Sequence, residues 1–533
     1  MNNNQYTYNQ PPMGQGMPPR HGQMMPPVRQ RVPQGWRGRW MHRFGMDRAA
    51  APMIKDALMI PNWVTGKAIA FFFISMLLCW LIFGHEPALE LILIAIVSLI
   101  AFLYGGGALS RSLSRAVEKK FVRSVYISAL SMRLLWVLYC VLVFNPEHFG
   151  NTFGDTADTE WYMAFAEDIS QWLAGKSQFS FSELLDRNCA AIDDTGYPLW
   201  LAVGYVLWGD WSDAVMPMIV KAIVSAYCAV SIYHVGKRHF GEGVGRMAAI
   251  FVAFCPDMIY WCGNMMKEAE MVFVCCIFID ETDKALTASR IGFKALLPGL
   301  LAGFYLFFFR AALGVACFVA VFAHVIFVSN RVLPFGKKII AGILVVITLL
   351  IGMGDSLRTK TEKMFETAQE NTEQQKNMEW RAEREGGNVF AKYAGEAVFA
   401  PLIFTIPFPT FNAAQEGQLR QIMLSGSSYI KNIFSFFVIM VMLMMLISAE
   451  WRRHVFILAY TLGYLGILVL SNFAQSGRFH IPIFPMLMLF AAYGIQIAKG
   501  NARLRRWYST VLVLEVVACI AWNWFKLAGR GMV

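Results

Sequence analysis

The sequence predicts an all-α, polytopic membrane protein, and three observations carry that prediction. Of 533 residues, 56% are hydrophobic and 16% are charged, whereas a soluble domain carries about 25% charged residues. Mean hydropathy is +0.45. Apolar runs close to the ~20 residues that cross a bilayer recur along the chain from position 64 onward. Backbone groups inside a bilayer must be satisfied within their own segment, so the runs are read as helices.

The first 60 residues stand apart. "MNNNQYTYNQPPMGQGMPPRHGQMMPPVRQ" is rich in Gln, Pro, Gly and Met and has too little apolar surface to offset ordering entropy. Residues 1–60 are therefore expected to form a disordered cytoplasmic tail. It lacks the apolar stretch of a cleavable signal peptide. Its arginines (Arg29, Arg31, Arg37, Arg39, Arg43, Arg48) suit an anionic membrane surface.

A basic start places the N-terminus in the cytoplasm, and the chain threads from there. Residues 61–108 form a hairpin of two spans. The basic stretch 109–123 lies inside, and a span at 124–144 carries the chain out. An outer loop follows at 145–213. It contains "YPLWLAVGYVLW", too short to span and read as an interfacial or re-entrant helix. Further spans are expected near 214–235, 246–260, 268–283, 294–309, 311–328 and 339–353. A second outer loop covers 354–431, hydrophilic first and then apolar and Pro-broken. The last spans fall near 432–449, 455–471, 482–497 and 508–524. About 13 spans result. The basic loops at 236–246, 451–454 and 499–507 share the cytoplasmic side with 109–123, as the positive-inside rule requires.

That distribution also explains the net charge of +11. The basic residues serve membrane orientation, so no nucleic-acid partner is implied. Most of the ten cysteines lie in apolar runs, with Cys189 in a loop, and no metal-type pairing of cysteines occurs.

The same threading gathers polar groups from distant parts of the chain on the outer face. "TFGDTADTEWY" supplies Asp155, Asp158 and Glu160 just after a span, with Tyr162 next. The helix "EWYMAFAEDISQWLAG" repeats Trp161, Phe165 and Ile169 at i, i+4 and i+8, an amphipathic pattern. Asp158 at its start is favoured there by capping and by the helix dipole. Asp194 and Tyr197 belong to the same loop. "NMMKE" adds Lys267 and Glu268 at a hairpin tip, where they also suit a local ion pair. Arg310 stands at an outer turn, and "SGRFH" brings Arg478 and His480. For Arg310 and Arg478 the alternative is contact with lipid headgroups. Arg133, within a span, is read as snorkelling to the cytoplasmic end.

These stretches together resemble the C-type (GT-C) integral membrane glycosyltransferases, which include the protein O-mannosyltransferases and the lipid A aminoarabinose transferases. "DTEWYMAFAEDI" is similar to that family's first outer loop, with Asp158, Tyr162 and Ala166 at its characteristic spacing. "DDTGYPLWLAVGYVLWGD" resembles its juxtamembrane helix, without the frequent His-Pro-Pro opening. "LLPGLLAGFYLFFFRAALGVACFVAVF" resembles the Gly-rich span that ends in an outer Arg, and "GRFHIPIFPMLMLFAAYGI" the late Arg-aromatic-Pro segment. The resemblance covers about 124–330 and 455–498, so 109–353 would be the catalytic core. The 61–108 hairpin is an addition to the family pattern.

The resemblance implies transfer of a sugar from a polyprenyl-phosphate donor to a glycan, lipid or protein acceptor on the outer face of the cytoplasmic membrane. Such a donor cannot leave the bilayer, so its cleft must open at the membrane surface. A carboxylate takes the proton of the attacking hydroxyl, with Asp158 first and Asp155 second for that role. The leaving phosphate needs cations rather than a strong acid, which Arg310, Lys267 and Arg478 supply. Tyr162, Glu268, His480, Asp194 and Tyr197 complete the expected substrate-binding set. No cofactor is certain; Glu160 is the expected ligand should a divalent cation take part. A polysaccharide polymerase or ligase, and a flippase without chemistry, are the competing functions.

Overall fold

The computed structural model describes residues 60–84, 89–154, 156–209, 215–288, 293–328, 402–411, 429–470 and 476–528. The tail up to position 59, the span expected at 339–353, most of the 354–431 loop and Asp155 lie outside the described residues. Among the described residues the chain is helical throughout, with no strand. Among the described residues seven helices are long and apolar enough to cross a membrane, eight if one bent pair counts as a single span. The protein is therefore a multi-pass helical membrane protein.

The N-terminal hairpin is α1 (Asn62–Phe83) and α2 (Leu89–Ile100), the second continuing by a π-turn to Ser112. Next comes α3 (Glu118–Tyr139), which runs on through another π-turn to Phe149. The 145–213 loop holds α4 (Thr156–Leu173), α5 (Phe181–Arg187) and α6 (Gly196–Trp208). The central elements are α7 (Val215–Phe240), α8 (Glu242–Phe254), α9 (Pro256–Tyr260) and α10 (Glu268–Thr287). Then follow α11 (Phe293–Phe309), α12 (Ala311–Phe327), α13 (Tyr429–Ile447), α14 (Val455–Leu470), α15 (Phe484–Lys499) and α16 (Ala502–Ala528). α11 and α12 are apolar but shorter than the seven. α10 is long enough but carries Glu268, Glu270, Asp280 and Asp283, all buried.

The core forms around α7, which packs against α3, α8 and α10, while α15 closes over α8 and α13. Helices gain little hydrophobic drive from association in lipid, so close backbone approach matters. The α7–α8 crossing shows it. A Cβ on Gly236 would stand 2.8 Å from Cα of Gly245, and one on Gly245 would stand 2.7 Å from the Tyr233 carbonyl oxygen.

Buried charges pin this core. At the C-terminal end of α7, Arg238 bonds Asp283 at 2.6 Å and Asp280 at 2.7 Å. Its neighbour His239 joins Asp283 at 2.8 Å and His454 at 2.9 Å. Arg133 departs from expectation. It is fully buried instead of snorkelling. Its guanidinium donates to the carbonyls of Val252 and Ala253 at 3.2 and 2.9 Å and to Ser225 Oγ at 2.9 Å. The reason is Pro256. Proline removes a backbone donor and breaks the helix, α8 and α9 meet at 46°, and Arg133 takes up carbonyls at the end of α8.

The apolar part of the second loop is described at 402–411. Lys431 donates to the carbonyls of Ile403 and Ile406. Asn523 donates to the Pro409 carbonyl at 2.9 Å and accepts from the Phe411 amide at 2.9 Å. The segment is thus packed against α13 and α16.

Candidate functional site

Three chain segments form the centre of the site, the start of α4, the turn between α9 and α10, and the short helix Gly477–His480, and a fourth, the turn between α11 and α12, brings Arg310. A two-point stitch joins the first two. Asn145 donates from Nδ2 to the carbonyls of Thr152 (3.0 Å) and Gly263 (2.9 Å), and the Met265 amide donates to the Phe153 carbonyl at 3.0 Å. The turn itself is held by Asn151, whose Oδ1 accepts from the amides of Phe153 and Gly154. Gly154 sits at φ +91°, and a Cβ there would lie 2.2 Å from Asn264 Oδ1. Only glycine meets both demands.

From that turn α4 starts at Thr156, with Asp158 in its first turn. The helix buries Phe165 and Ile169 against Leu184 and Ala202, the apolar face its periodicity predicts. The opposite face presents polar groups. Asp158 Oδ2 accepts from Arg478 Nη1 at 2.7 Å. The Asp158 carboxylate is thus committed to Arg478, while its first-turn position still suits the dipole. Arg478 also donates through Nε to Glu268 Oε1. The side chain of Asp158 is 50% exposed and that of Glu268 is fully buried, so one guanidinium links a solvent-facing acid to an interior one.

Lys267 and Glu268 do not pair with each other. Lys267 Nζ reaches Asp194 Oδ1 at 2.7 Å and sits 5.8 Å from the Tyr162 ring centroid. Burial drives the Lys267 pKa below the usual 10.5; Asp194 opposes that shift and Arg310 adds to it. Arg310 lies over the Phe479 ring at 4.0 Å and donates to Tyr464 Oη at 3.3 Å, while Tyr464 donates to the Phe479 carbonyl. Arg310 is therefore tied to the segment that carries Arg478 and adjoins Lys267 electrostatically. The three expected cations converge.

Tyr162 and Tyr197 stack edge to face at 5.1 Å. Burial pushes both phenols up, with Glu268 adding to it at Tyr162 and Glu270 at Tyr197. Both stay neutral near pH 7, shaping the site as apolar surfaces with hydroxyl tips. Glu160 is exposed, and among the described residues it joins no group of three side chains placed to share an ion. His480 does not share the Asp158–Arg478–Glu268 arrangement. It is fully buried, with Nδ1 2.8 Å from Lys431 Nζ, on the side of the 402–411 segment.

Lys221 lies outside the set of residues expected from the sequence. It is fully buried in α7 and donates to the carbonyls of Asn264 and Met266, each at 2.6 Å, and to Tyr197 Oη at 3.2 Å. Glu270 lies 3.6 Å away. Lys221 thus fixes the turn that presents Lys267 and Glu268. A charge inside an apolar run was the available signal.

Chemically, the arrangement offers an exposed carboxylate beside clustered cations. It suits a reaction in which an oxyanion is bound and a proton is removed next to it. No family model, curated protein or solved structure matches the chain.

Proposed function

We propose that the chain is a GT-C-like integral membrane glycosyltransferase that moves a sugar from a polyprenyl-phosphate donor to an acceptor at the extracytoplasmic face of the cytoplasmic membrane. The observation that supports this best is the convergence of Asp158, Arg478, Lys267 and Arg310 from four separated segments. The proposed threading has about 13 spans with the N-terminus inside, which puts this cluster where a donor's phosphate meets water.

In this reading the donor phosphate takes the place of Asp158 on Arg478 and of Asp194 on Lys267, with Glu268 staying on Arg478 and Arg310 behind them. Asp158, released from Arg478, accepts the proton of the acceptor hydroxyl as its oxygen attacks the anomeric carbon. The carbon–oxygen bond to phosphate breaks, and the electron pair leaves with the polyprenyl phosphate, held by the three cations. Asp155, three residues earlier, is the alternative base.

The test is transfer in vitro from a panel of polyprenyl-phosphate sugars, with wild type, Asp158→Asn and Asp155→Asn. A general base contributes ~10²–10⁴-fold, so one Asn variant should lose at least the lower figure while still binding the lipid donor. Wild-type relocation of lipid-linked sugar across vesicles with no new glycosidic bond would replace the transferase reading with a flippase.

A further inference from the structure

Between α1, α2, α3 and α9 lies a cavity of about 550 Å³, within the ~300–1,000 Å³ usual for ligand sites. Met76, Leu93, Leu135, Trp136, Ile259 and Phe411 are among its walls, and among the described residues Glu90 is the charged one in the lining. Leu93, Leu135 and Val97, also in the lining, are 51%, 63% and 62% exposed. The cavity therefore opens onto the apolar outside of α2 and α3, both candidate membrane spans. Water does not fill a space with this lining, and in a bilayer the neighbouring material is hydrocarbon.

The Glu90 end is different. Tyr139 donates its hydroxyl to Glu90 Oε1, and His148 Nε2 lies 3.0 Å from Glu90 Oε2. A carboxylate oxygen of Glu147 falls in the same group, with ligand atoms of Glu90, Glu147 and His148 all within 4.8 Å of one another. With His148 neutral or protonated, the group's net charge is negative. It repels a phosphate monoester and attracts an ammonium. Each carboxylate oxygen keeps a lone pair for a further donor.

From this juxtaposition of an apolar cavity and an acidic rim, we propose that the N-terminal hairpin builds a binding site for one aminated phospholipid of the phosphatidylethanolamine type. One acyl chain occupies the cavity, and the headgroup ammonium donates to Glu90 and Glu147. The phosphodiester lies outward, away from the carboxylates. The site is separate from the cationic cluster around Arg478, and its existence does not depend on the transferase reading.

The experiment uses the full chain, delipidated in detergent and offered equal amounts of phosphatidylethanolamine and phosphatidylglycerol with identical chains. Retained lipid is counted by native mass spectrometry. Wild type should keep one phosphatidylethanolamine with a preference of about tenfold, what one charge-assisted hydrogen bond contributes. Glu90→Gln with Glu147→Gln should erase the preference but not the retention. Ala95→Phe or Ala101→Phe, which fill the cavity, should abolish retention. Should a filling variant fail to fold, phosphatidylethanolamine with brominated chains supplies the second readout, quenching wild type more than Trp136→Phe. Equal retention of both lipids by wild type overturns the headgroup assignment. Retention that needs a divalent cation and vanishes with chelator, whatever the headgroup, makes the rim a metal site and overturns it too. Unchanged retention in folded filling variants, or quenching unaffected by Trp136→Phe, removes the cavity from the account.

Discussion

Arg478 and Asp158 meet at 2.7 Å although 320 positions separate them in the chain. The same guanidinium holds Glu268, which is fully buried, while Asp158 is half exposed. The two carboxylates should therefore respond differently to removal. Glu268→Ala leaves a cavity where a fully buried side chain stood and takes from Arg478 its interior acceptor, and should cost about 3 kcal/mol. Asp158→Ala breaks a screened contact and should cost no more than about 1 kcal/mol. Thermal unfolding of both variants in one detergent compares them, and equal shifts would contradict the burial difference.

Lys221 offers a sharper stability test. Lys221→Met removes the donor to two carbonyls and leaves the buried Glu270 without its cation. A loss of about 3–5 kcal/mol is expected for breaking a buried pair. Lys221→Met combined with Glu270→Gln should recover part of it, because the stranded charge is gone. A double variant no more stable than Lys221→Met would mean that the carbonyl contacts, rather than the pair, dominate.

The depressed pKa of Lys267 gives two pH trends of opposite sign. In the proposed reaction the donor phosphate is held by the Lys267 ammonium, so on that reading affinity should fall as pH rises, starting below the ordinary lysine value of 10.5. Between the folded pKa and 10.5 the unfolded chain holds more protons than the folded one, so this residue makes stability rise with pH in that window. Lys267→Arg should flatten both trends, since arginine keeps its charge. Titrating lipid-phosphate binding and the unfolding midpoint on the same samples measures them together. Falling stability over that window, or an unchanged trend in the arginine variant, would assign the effect to another group.

Sidedness can be read from the natural cysteines. Nine of the ten are buried, and Cys189 in the 145–213 loop is exposed. In intact cells an impermeant maleimide should label wild type once and Cys189→Ser not at all. Labelling of wild type only after the membrane is opened would put α4 and its carboxylate on the cytoplasmic side.

Much of the site could be anticipated because its residues sit where helices begin or chains turn. Asp158 follows a span, Lys267 and Glu268 stand at a tip, and charge placement alone brings them to one face. Which cation meets which acid could not be read. Lys267 and Glu268 are neighbours in sequence, yet each turns to a distant partner. His480 lies two positions after Arg478 in the same short helix, and residues at that spacing do not share a face. One therefore reaches Glu268 and the other Lys431. Arg133 and Lys221 were hidden for a different reason. An isolated charge in an apolar run looks the same whether it reaches for water or for a carbonyl, and the carbonyls come from segments over a hundred and over forty positions away.

The break at Pro256 bears on how the site can adapt. Arg133 ties the broken end of α8 to α3, and the next residues lead directly into the turn that carries Lys267 and Glu268. Straightening that elbow would strand a buried guanidinium, so the backbone beneath the cations behaves as fixed masonry. Asp158 and Asp194, by contrast, are half exposed at the rim. Molecules of different size would be accommodated by swinging these two side chains, and selectivity among them would be changed more readily by substitutions at the rim than beneath it.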